Sequence, residues 1–172
     1  MGPADEIVAI VDRNNNLTGK TTRQEMRSKG LPHRATYILV RNSVGQLFVQ
    51  KRTTTKDIYA GCYDPAVGGV VLDGETYEQG AYRELEEEMG ICGVPLEQQF
   101  DFFFEEENLR VWGRVFSCIY DGPLNLQVEE VQSGSFMSIP AILILAGREP
   151  FARDGLEALR KYLGQEGVSR HQ

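Results

Sequence analysis

The sequence lacks a long apolar run, a basic surplus and any cysteine pair with the spacing of metal ligands. Its longest apolar stretch, Ile139 to Ala146, is much shorter than the ~20 residues that span a bilayer, so we expect no membrane segment. The chain does not open with a basic stretch followed by an apolar one, and its three cysteines are odd in number. We therefore expect no signal peptide and a cytoplasmic protein with reduced thiols. The net charge of −7 argues against a nucleic-acid partner, which would select a basic face.

The composition is that of an ordinary globular chain, and 172 residues are enough for one domain with a proper core. We find no internal repeat and no low-complexity linker. A hairpin around the turn Asp12 to Asn16 leads into a short helix from Arg23 to Lys29. Further strands are predicted at 35–40, 46–52, 98–104, 109–120 and 136–138, and further helices at 77–89, 140–146 and 151–163. This alternation predicts an α/β fold with a mixed sheet between helical layers.

The segment from Gly69 to Ile91 carries the chemical signal. On a helix each residue advances ~100°, so Glu84, Glu87 and Glu88 share one arc of ~100° while Glu86 faces water on the far side. Carboxylates on one arc repel one another unless a positive charge lies among them, and oxygen ligands of this kind suit Mg²⁺ or Mn²⁺. Such ions coordinate diphosphate oxygens and activate water. On geometry alone, a solvated acidic helix face is the favoured interpretation, because most runs of charged residues are solvated.

The same segment matches every fixed position of the signature of the Nudix hydrolases, G-x5-E-x7-R-E-U-x-E-E-x-G-U, where U is aliphatic. At average residue frequencies, a chance match in a chain of this length is on the order of 10⁻⁷ or below. We therefore favour a Nudix-like segment over a solvated helix face. The matching residues are Gly69, Glu75, Arg83, Glu84, Leu85, Glu87, Glu88, Gly90 and Ile91.

This resemblance implies a Nudix fold, an α/β/α sandwich that hydrolyses the diphosphate linkage of a small molecule in which a nucleoside diphosphate is joined to another group. It implies Mg²⁺ or Mn²⁺ held by Glu84, Glu87 and Glu88 as the catalytic residues, and a structural salt bridge between Glu75 and Arg83. It also makes a homodimer plausible. We assign residues 1–34 to an N-terminal hairpin and helix extension packed on the core, 35–165 to the Nudix domain and 166–172 to a flexible tail.

The N-terminal part resembles isopentenyl-diphosphate isomerase and the isomerase-like Nudix hydrolases, the bacterial YfcD group among them. The resemblance lies in the hairpin from Asp12 to Gly19, the arginine-containing helix and the run Gly30 to Ala35. Two rival functions follow, an isomerase that leaves the diphosphate intact and a nucleotide sensor without turnover. Within the run, we expect His33 either to lie near a phosphate or metal or to be a hydrogen-bonded histidine at a strand edge. Arg34 binds a substrate phosphate or pairs with a surface acid.

The isomerase family carries a catalytic cysteine and a metal-binding histidine just before the Nudix helix. Gly68 and Val70 stand at those two places here, and Cys62 lies six residues before the cysteine position. Leu109 and Val111 stand near the positions of the isomerase's paired acids. We therefore expect no isomerisation.

Four more residues are candidates for substrate binding or for the general base. Lys51 and Arg52 end a strand that heads toward the metal loop, and either contact a phosphate or stay on the surface. Glu107 lies in a predicted acidic loop from Glu105 to Asn108 and is either the base or part of a solvated turn. Glu130 precedes the last strand, where the family places another acid, and is either functional or solvated.

Overall fold

The computed structural model describes the backbone of residues 2–170 and the side chains of residues 2–165. In this part of the chain no helix is long and apolar enough to cross a membrane. The strands are β1 (Ile7–Val11), β2 (Leu17–Thr22), β3 (His33–Arg41), β4 (Leu47–Arg52), β5 (Tyr63–Asp64), β6 (Glu97–Glu106), β7 (Leu109–Ile119) and β8 (Val131–Met137). A 3₁₀ turn at Pro3–Asp5 precedes them, and the helices are α1 (Arg23–Lys29), α2 (Tyr77–Met89), α3 (Ile139–Ala146) and α4 (Arg153–Arg170).

Strand β3 is central to a mixed sheet of eight strands. It pairs with β7 in parallel along its whole length, and β7 pairs with β6 in an antiparallel hairpin. Strand β4 pairs with β5 and β8, but its register with β3 is a single pair, Arg41 with Leu47. Beyond that pair the two strands diverge, and the segment before α2 bridges to β3 through Val67 and Val70. The divergence leaves a wedge-shaped opening in the sheet.

The two faces of the sheet bury two separate cores. Successive side chains of a strand point to opposite faces, and β3 shows this directly. Tyr37 and Leu39 join a core that includes buried residues of α4, whereas Ile38 and Val40 join a core that includes buried residues of α2. The predicted mixed sheet between helical layers is thus confirmed.

The N-terminal extension packs on the segment that precedes α2. Val8 of β1, Met26 of α1 and Val70 form a small third core, and the amide of Ala9 donates to the carbonyl of Val71 at 3.3 Å. These contacts place α1 beside the opening between β3 and β4.

Several predicted boundaries differ from those in the structure. Strand β8 begins at Val131 rather than at 136, because its exposed Ser and Gly residues pair through their backbone with β4 and show no apolar alternation. Strand β6 runs to Glu106, so half of the predicted acidic loop, Glu105 and Glu106, is strand. Helix α4 begins at Arg153 rather than at 151. The predicted flexible tail is residues 166–172. The side chains of this segment lie outside the described residues, as does the backbone of residues 171–172.

Candidate active site

Helix α2 begins and ends where its sequence signals predict. The hydroxyl of Thr76 accepts from the amide of Gln79 at 3.1 Å, and the Gln79 side chain accepts from the amide of Thr76 at 3.0 Å. The helix ends at Gly90, in the left-handed region. Local capping therefore fixes which faces α2 presents, as the predicted register requires.

Two glycines let the chain pass between β3 and α2. Gly68 has a φ of +141°, which other residues rarely adopt. A Cβ on Gly69 would lie 2.7 Å from Oε1 of Glu84, so a side chain there would displace that carboxylate. The carbonyl of Gly69 in turn accepts from the amide of Thr36 on β3 at 2.9 Å. The backbone of this glycine segment therefore lies directly against the carboxylates of α2.

Three carboxylates of α2 line one cleft, and they differ in exposure. Glu88 is buried, with 4% of its surface exposed, and its Oε2 accepts from the amide of Gly68 at 3.3 Å. The Glu84 side chain is 13% exposed and that of Glu87 is 51% exposed. Glu86 is exposed and does not belong to this lining. The helix register expected from the sequence is therefore correct.

Burial and mutual repulsion disfavour the charged form of the two buried carboxyls. Burial, and secondly the Glu84 charge, raise the pKa of Glu88 well above its usual range. Burial also raises the pKa of Glu84, with Arg83 opposing the shift and the Glu87 charge adding to it. An added positive charge at this place would stabilise both carboxylates.

Arg83 binds several groups of the glycine segment and α2 together. Its Nε donates to Oε2 of Glu75 at 2.6 Å and its second terminal nitrogen donates to Oε1 of the same carboxylate at 3.0 Å. Its first terminal nitrogen donates to Glu84 at 3.0 Å and to Glu87 at 3.2 Å. Burial raises the pKa of Glu75, but the bonds from Arg83 outweigh it, so the net shift is downward. The expected salt bridge between Glu75 and Arg83 is present.

The side chains of α2 fit a divalent cation by their chemistry. Carboxylate oxygens are the ligands that Mg²⁺ and Mn²⁺ prefer. Among the described residues, no three acidic, histidine or cysteine side chains are already arranged around a point that a metal ion would occupy. Two of the three carboxylates of α2 are turned toward Arg83 and the third toward Gly68. The donor set is thus present, with its oxygens directed at internal partners.

Charged residues outside α2 also line the cleft, among them Asp5 and Glu6 of the N-terminal segment. Glu130, just before β8, lines the cleft and forms an ion pair with Lys56 of the β4–β5 loop. Lys56 and Arg23 also line the deeper part of the opening, next to Gly68 and Gly69. We call the part lined by Glu84, Glu87, Glu88 and Glu130 the carboxylate end.

The deeper part of the cleft lies in the wedge between β3 and β4, and we call it the arginine end. Arg23, Arg27 and Arg52 line it, together with His33. Nδ1 of His33 lies 3.0 Å from the carbonyl oxygen of Leu31. Burial, and secondly the Arg27 charge, lower the pKa of His33 to about 3, so its ring is neutral at physiological pH.

Two aspartates, the buried Asp64 and the half-buried Asp154, line the arginine end. Asp64 lies 3.5 Å from Arg52 and accepts from the amide of Ala66 at 2.9 Å. Asp154 accepts from the hydroxyl of Tyr37 at 2.7 Å. Burial raises the pKa of Asp64 to about 7, and burial also raises that of Asp154. Burial therefore disfavours the charged form of both carboxyl groups.

Three of the residues singled out in the sequence lie away from the cleft. Arg34 donates to the side chain and the carbonyl of Asn15 at 2.8 and 2.7 Å, so it supports the hairpin rather than pairing with an acid. The ammonium group of Lys51 lies 5.4 Å from the ring centre of Tyr63, outside the cleft lining. Glu107 is exposed at the β6–β7 turn and lines a separate depression. Their positions do not favour the substrate or base roles considered for them.

Sequence reasoning missed most of the arginine end. Arg23 and Arg27 are four residues apart on α1, which signals a shared helix face but not what that face meets. Lys56 and Asp64 lie in and beside a loop with no motif. Only the folded chain shows that these residues converge on the segment preceding α2.

Comparisons with known proteins show which family the chain resembles. Residues 31–159 match the family model described as NUDIX domain. An uncharacterised Nudix hydrolase of Yersinia pestis is 47% identical over 92% of this chain and 86% of its own length. The uncharacterised Nudix hydrolase YfcD of Escherichia coli K12 is 42% identical over 92% of this chain and 87% of its own length.

Solved structures resemble the fold. DR0079 from Deinococcus radiodurans superposes with a TM-score of 0.79 at 22% identity, covering 90% of this chain and 98% of its own. A MutT protein from Methanosarcina mazei Go1 superposes with a TM-score of 0.67 at 24% identity, covering 78% of this chain and 95% of its own. At these identities the likeness concerns the fold alone.

Proposed function

The chain belongs to the Nudix family, and from that premise we propose that it cleaves the diphosphate linkage of a small molecule in which a nucleoside diphosphate is joined to another group. The observation that carries the proposal is the carboxylate end, where Glu84, Glu87 and Glu88 line one cleft with the backbone of Gly68 and Gly69. The signature of the family is complete at these positions.

We propose Mg²⁺ or Mn²⁺ as the cofactor, with Glu84, Glu87 and Glu88 as its ligands. When bound, such an ion neutralises charge on the phosphate oxygens and activates water. Arg83 keeps Glu84 and Glu87 on the cleft side of α2, and the amide of Gly68 orients Glu88. These contacts hold the three carboxylates at the cleft in which we propose that the diphosphate binds.

In the proposed reaction, a water oxygen attacks one phosphorus, and the bond from that phosphorus to the bridging oxygen breaks. The bridging oxygen leaves with the other phosphate, and a carboxylate takes the proton that the water loses. We propose Glu84 or Glu130 as that carboxylate. Glu130 is the outside acid favoured by position, because it lines the cleft while Glu107 does not.

Two other functions are less well supported. An isomerase needs an acid and a base on opposite sides of a double bond, but glycine and valine stand at Gly68 and Val70, and Leu109 and Val111 form an apolar wall of the cleft. A sensor without turnover would have no need for the complete set of acids on α2. Both rivals predict an intact diphosphate after incubation.

The deciding experiment is a panel of nucleotide and non-nucleotide diphosphates, incubated with Mg²⁺ or Mn²⁺ and analysed for released phosphate and nucleotide. We expect hydrolysis of at least one member, loss of that activity with excess chelator and its return with added metal. Full turnover in excess chelator would contradict the proposed chemistry. Binding without turnover across the panel would favour the sensor.

Location and assembly remain proposals. We infer a cytoplasmic protein because Cys62, Cys92 and Cys118 are all unpaired, and we infer a homodimer from family resemblance. Fractionation of the native host and light scattering of the purified chain test these two inferences.

A further inference from the structure

Helix α1 directs two arginines into the cleft. Arg23 and Arg27 are four residues apart and therefore lie on the same helix face, next to the buried Met26 that anchors α1 to Val70. Both line the arginine end, and their side chains are only 14% and 19% exposed. The extension therefore contributes two largely buried cations to a cleft whose catalytic acids come from α2.

A single aspartate is shared by these two guanidinium groups. Oδ2 of Asp57, in the loop between β4 and β5, lies 2.9 Å from Nε of Arg23 and 3.2 Å from Nε of Arg27. Arg23 has a second acid, Glu6, at 3.4 Å. Burial, and to a lesser extent the Arg23 charge, lower the pKa of Arg27, while the Asp57 carboxylate opposes the shift. His33 lines the same part of the cleft, and an imidazole cannot supply a negative charge to balance the arginines.

The arginines are continuous with the carboxylate end. Arg23, Lys56, Gly68 and Gly69 line both parts of the cleft. A substrate that crosses from one part to the other therefore passes from the acids of α2 to the arginines of α1. Guanidinium groups bind phosphate oxygens through paired charge-assisted hydrogen bonds, as they bind a carboxylate.

We propose that Arg23 and Arg27 bind a phosphate group of the substrate, other than the one that water attacks, and that this phosphate competes with Asp57, which pairs with both arginines in the free protein. The inference rests on the proposed function, because it assigns the arginine end to the same diphosphate substrate. Phosphate binding then replaces the Asp57 carboxylate as the partner of the arginines. The ion pairs that join the β4–β5 loop to α1 through Asp57 are lost in that step. The N-terminal extension is in this way part of the substrate site.

The test uses inorganic diphosphate and full-length protein freed of divalent ions, so that the carboxylate end contributes little. In calorimetric titrations, Arg27→Gln should weaken binding by at least about tenfold, the scale of one lost charge-assisted hydrogen bond. Asp57→Asn should strengthen binding, because the internal competitor loses its charge. The matched control is Arg114→Gln, at an arginine of similar exposure paired with Asp101, and it should leave binding unchanged.

The opposite signs at the two sites keep the proposal falsifiable even if Arg27→Gln folds poorly. If Arg27 and Asp57 only support the loop, both variants lower the melting temperature, and Asp57→Asn leaves binding unchanged or weakens it; that result would overturn the inference.

Steady-state kinetics with a hydrolysed substrate should show KM raised in Arg27→Gln and kcat largely kept. Diphosphate binding that depends on Arg27 without any turnover would refute the proposed function alone. Turnover with unchanged binding and KM in Arg27→Gln would refute the inference alone.

Discussion

Replacement of Arg83 by alanine should lower stability and activity together. Four hydrogen bonds to carboxylates are lost, two of them a fork to Glu75, and the Arg83 and Glu75 side chains are 24% and 14% exposed. Exposed pairs contribute about 0–1 kcal/mol, and breaking a fully buried pair costs about 3–5 kcal/mol, so we expect about 2–3 kcal/mol here. For a domain of this size that corresponds to a fall in Tm of about 5–10 °C.

Calorimetric melting and turnover of the wild type, Arg83→Ala, Glu75→Gln and the double variant would measure this loss. Since Arg83 and Glu75 act on each other, the double variant should lose little more stability than Arg83→Ala alone. Arg83→Lys keeps the positive charge but cannot form the two parallel hydrogen bonds to Glu75. It should therefore retain only part of the stability. An unchanged Tm with abolished turnover would refute the structural role and place Arg83 on the substrate instead.

Three further predictions concern the carboxylates, the buried histidine and the rival chemistry. Glu87→Gln and Glu88→Gln should each lower kcat by about 10²-fold or more, whereas Glu86→Gln should change it little; a larger loss at Glu86 than at Glu88 would contradict the register of α2. The pKa of His33 is lowered from 6.5 to about 3, so its stabilising effect is complete above pH 6.5 and is lost as the pH falls toward 3. In urea unfolding, the wild type should lose about 2 kcal/mol more stability between pH 8 and pH 5 than His33→Gln does, because the comparison cancels the carboxyl groups whose pKa is raised; parallel pH profiles would exclude this effect. Incubation with isopentenyl diphosphate and Mg²⁺ should yield no dimethylallyl diphosphate, and its formation at enzymatic rates would overturn the hydrolase assignment.

Helix α2 could be predicted to the residue because all of its signals are local. Thr76 and Gln79 cap one end, Gly90 ends the other, and the angular spacing of the acids follows from the helix itself. The expected order of strands and helices was also correct, since turn residues and apolar patterns mark each element. Strand β8 was the exception, because its pairing with β4 depends on a distant strand.

Candidate residues outside α2 were predicted less well, for a geometric reason. Neighbouring residues of a strand point to opposite faces. Of His33 and Arg34, and of Lys51 and Arg52, only one residue in each pair could therefore face the cleft; His33 and Arg52 do. The sequence pattern alone does not decide which residue of each pair faces the cleft, because this depends on which face of the sheet borders the cleft. The convergence of α1 with the β4–β5 loop depends on tertiary packing and has no local signal.

The parallel pairing of β3 with β7 has a consequence for how the chain folds. His33 pairs with Val111 and Arg41 with Ile119, so the central ladder joins segments that are 78 residues apart. All of α2 and the glycine segment lie within the loop that this pairing closes, and such non-local contacts form slowly because loop-closure entropy must be overcome first. The β6–β7 hairpin can form early by itself, but β3 lacks its partner during synthesis until residue 119 has left the ribosome. Assembly of the cleft and completion of the sheet should therefore coincide in one late step, whose rate stopped-flow refolding would measure.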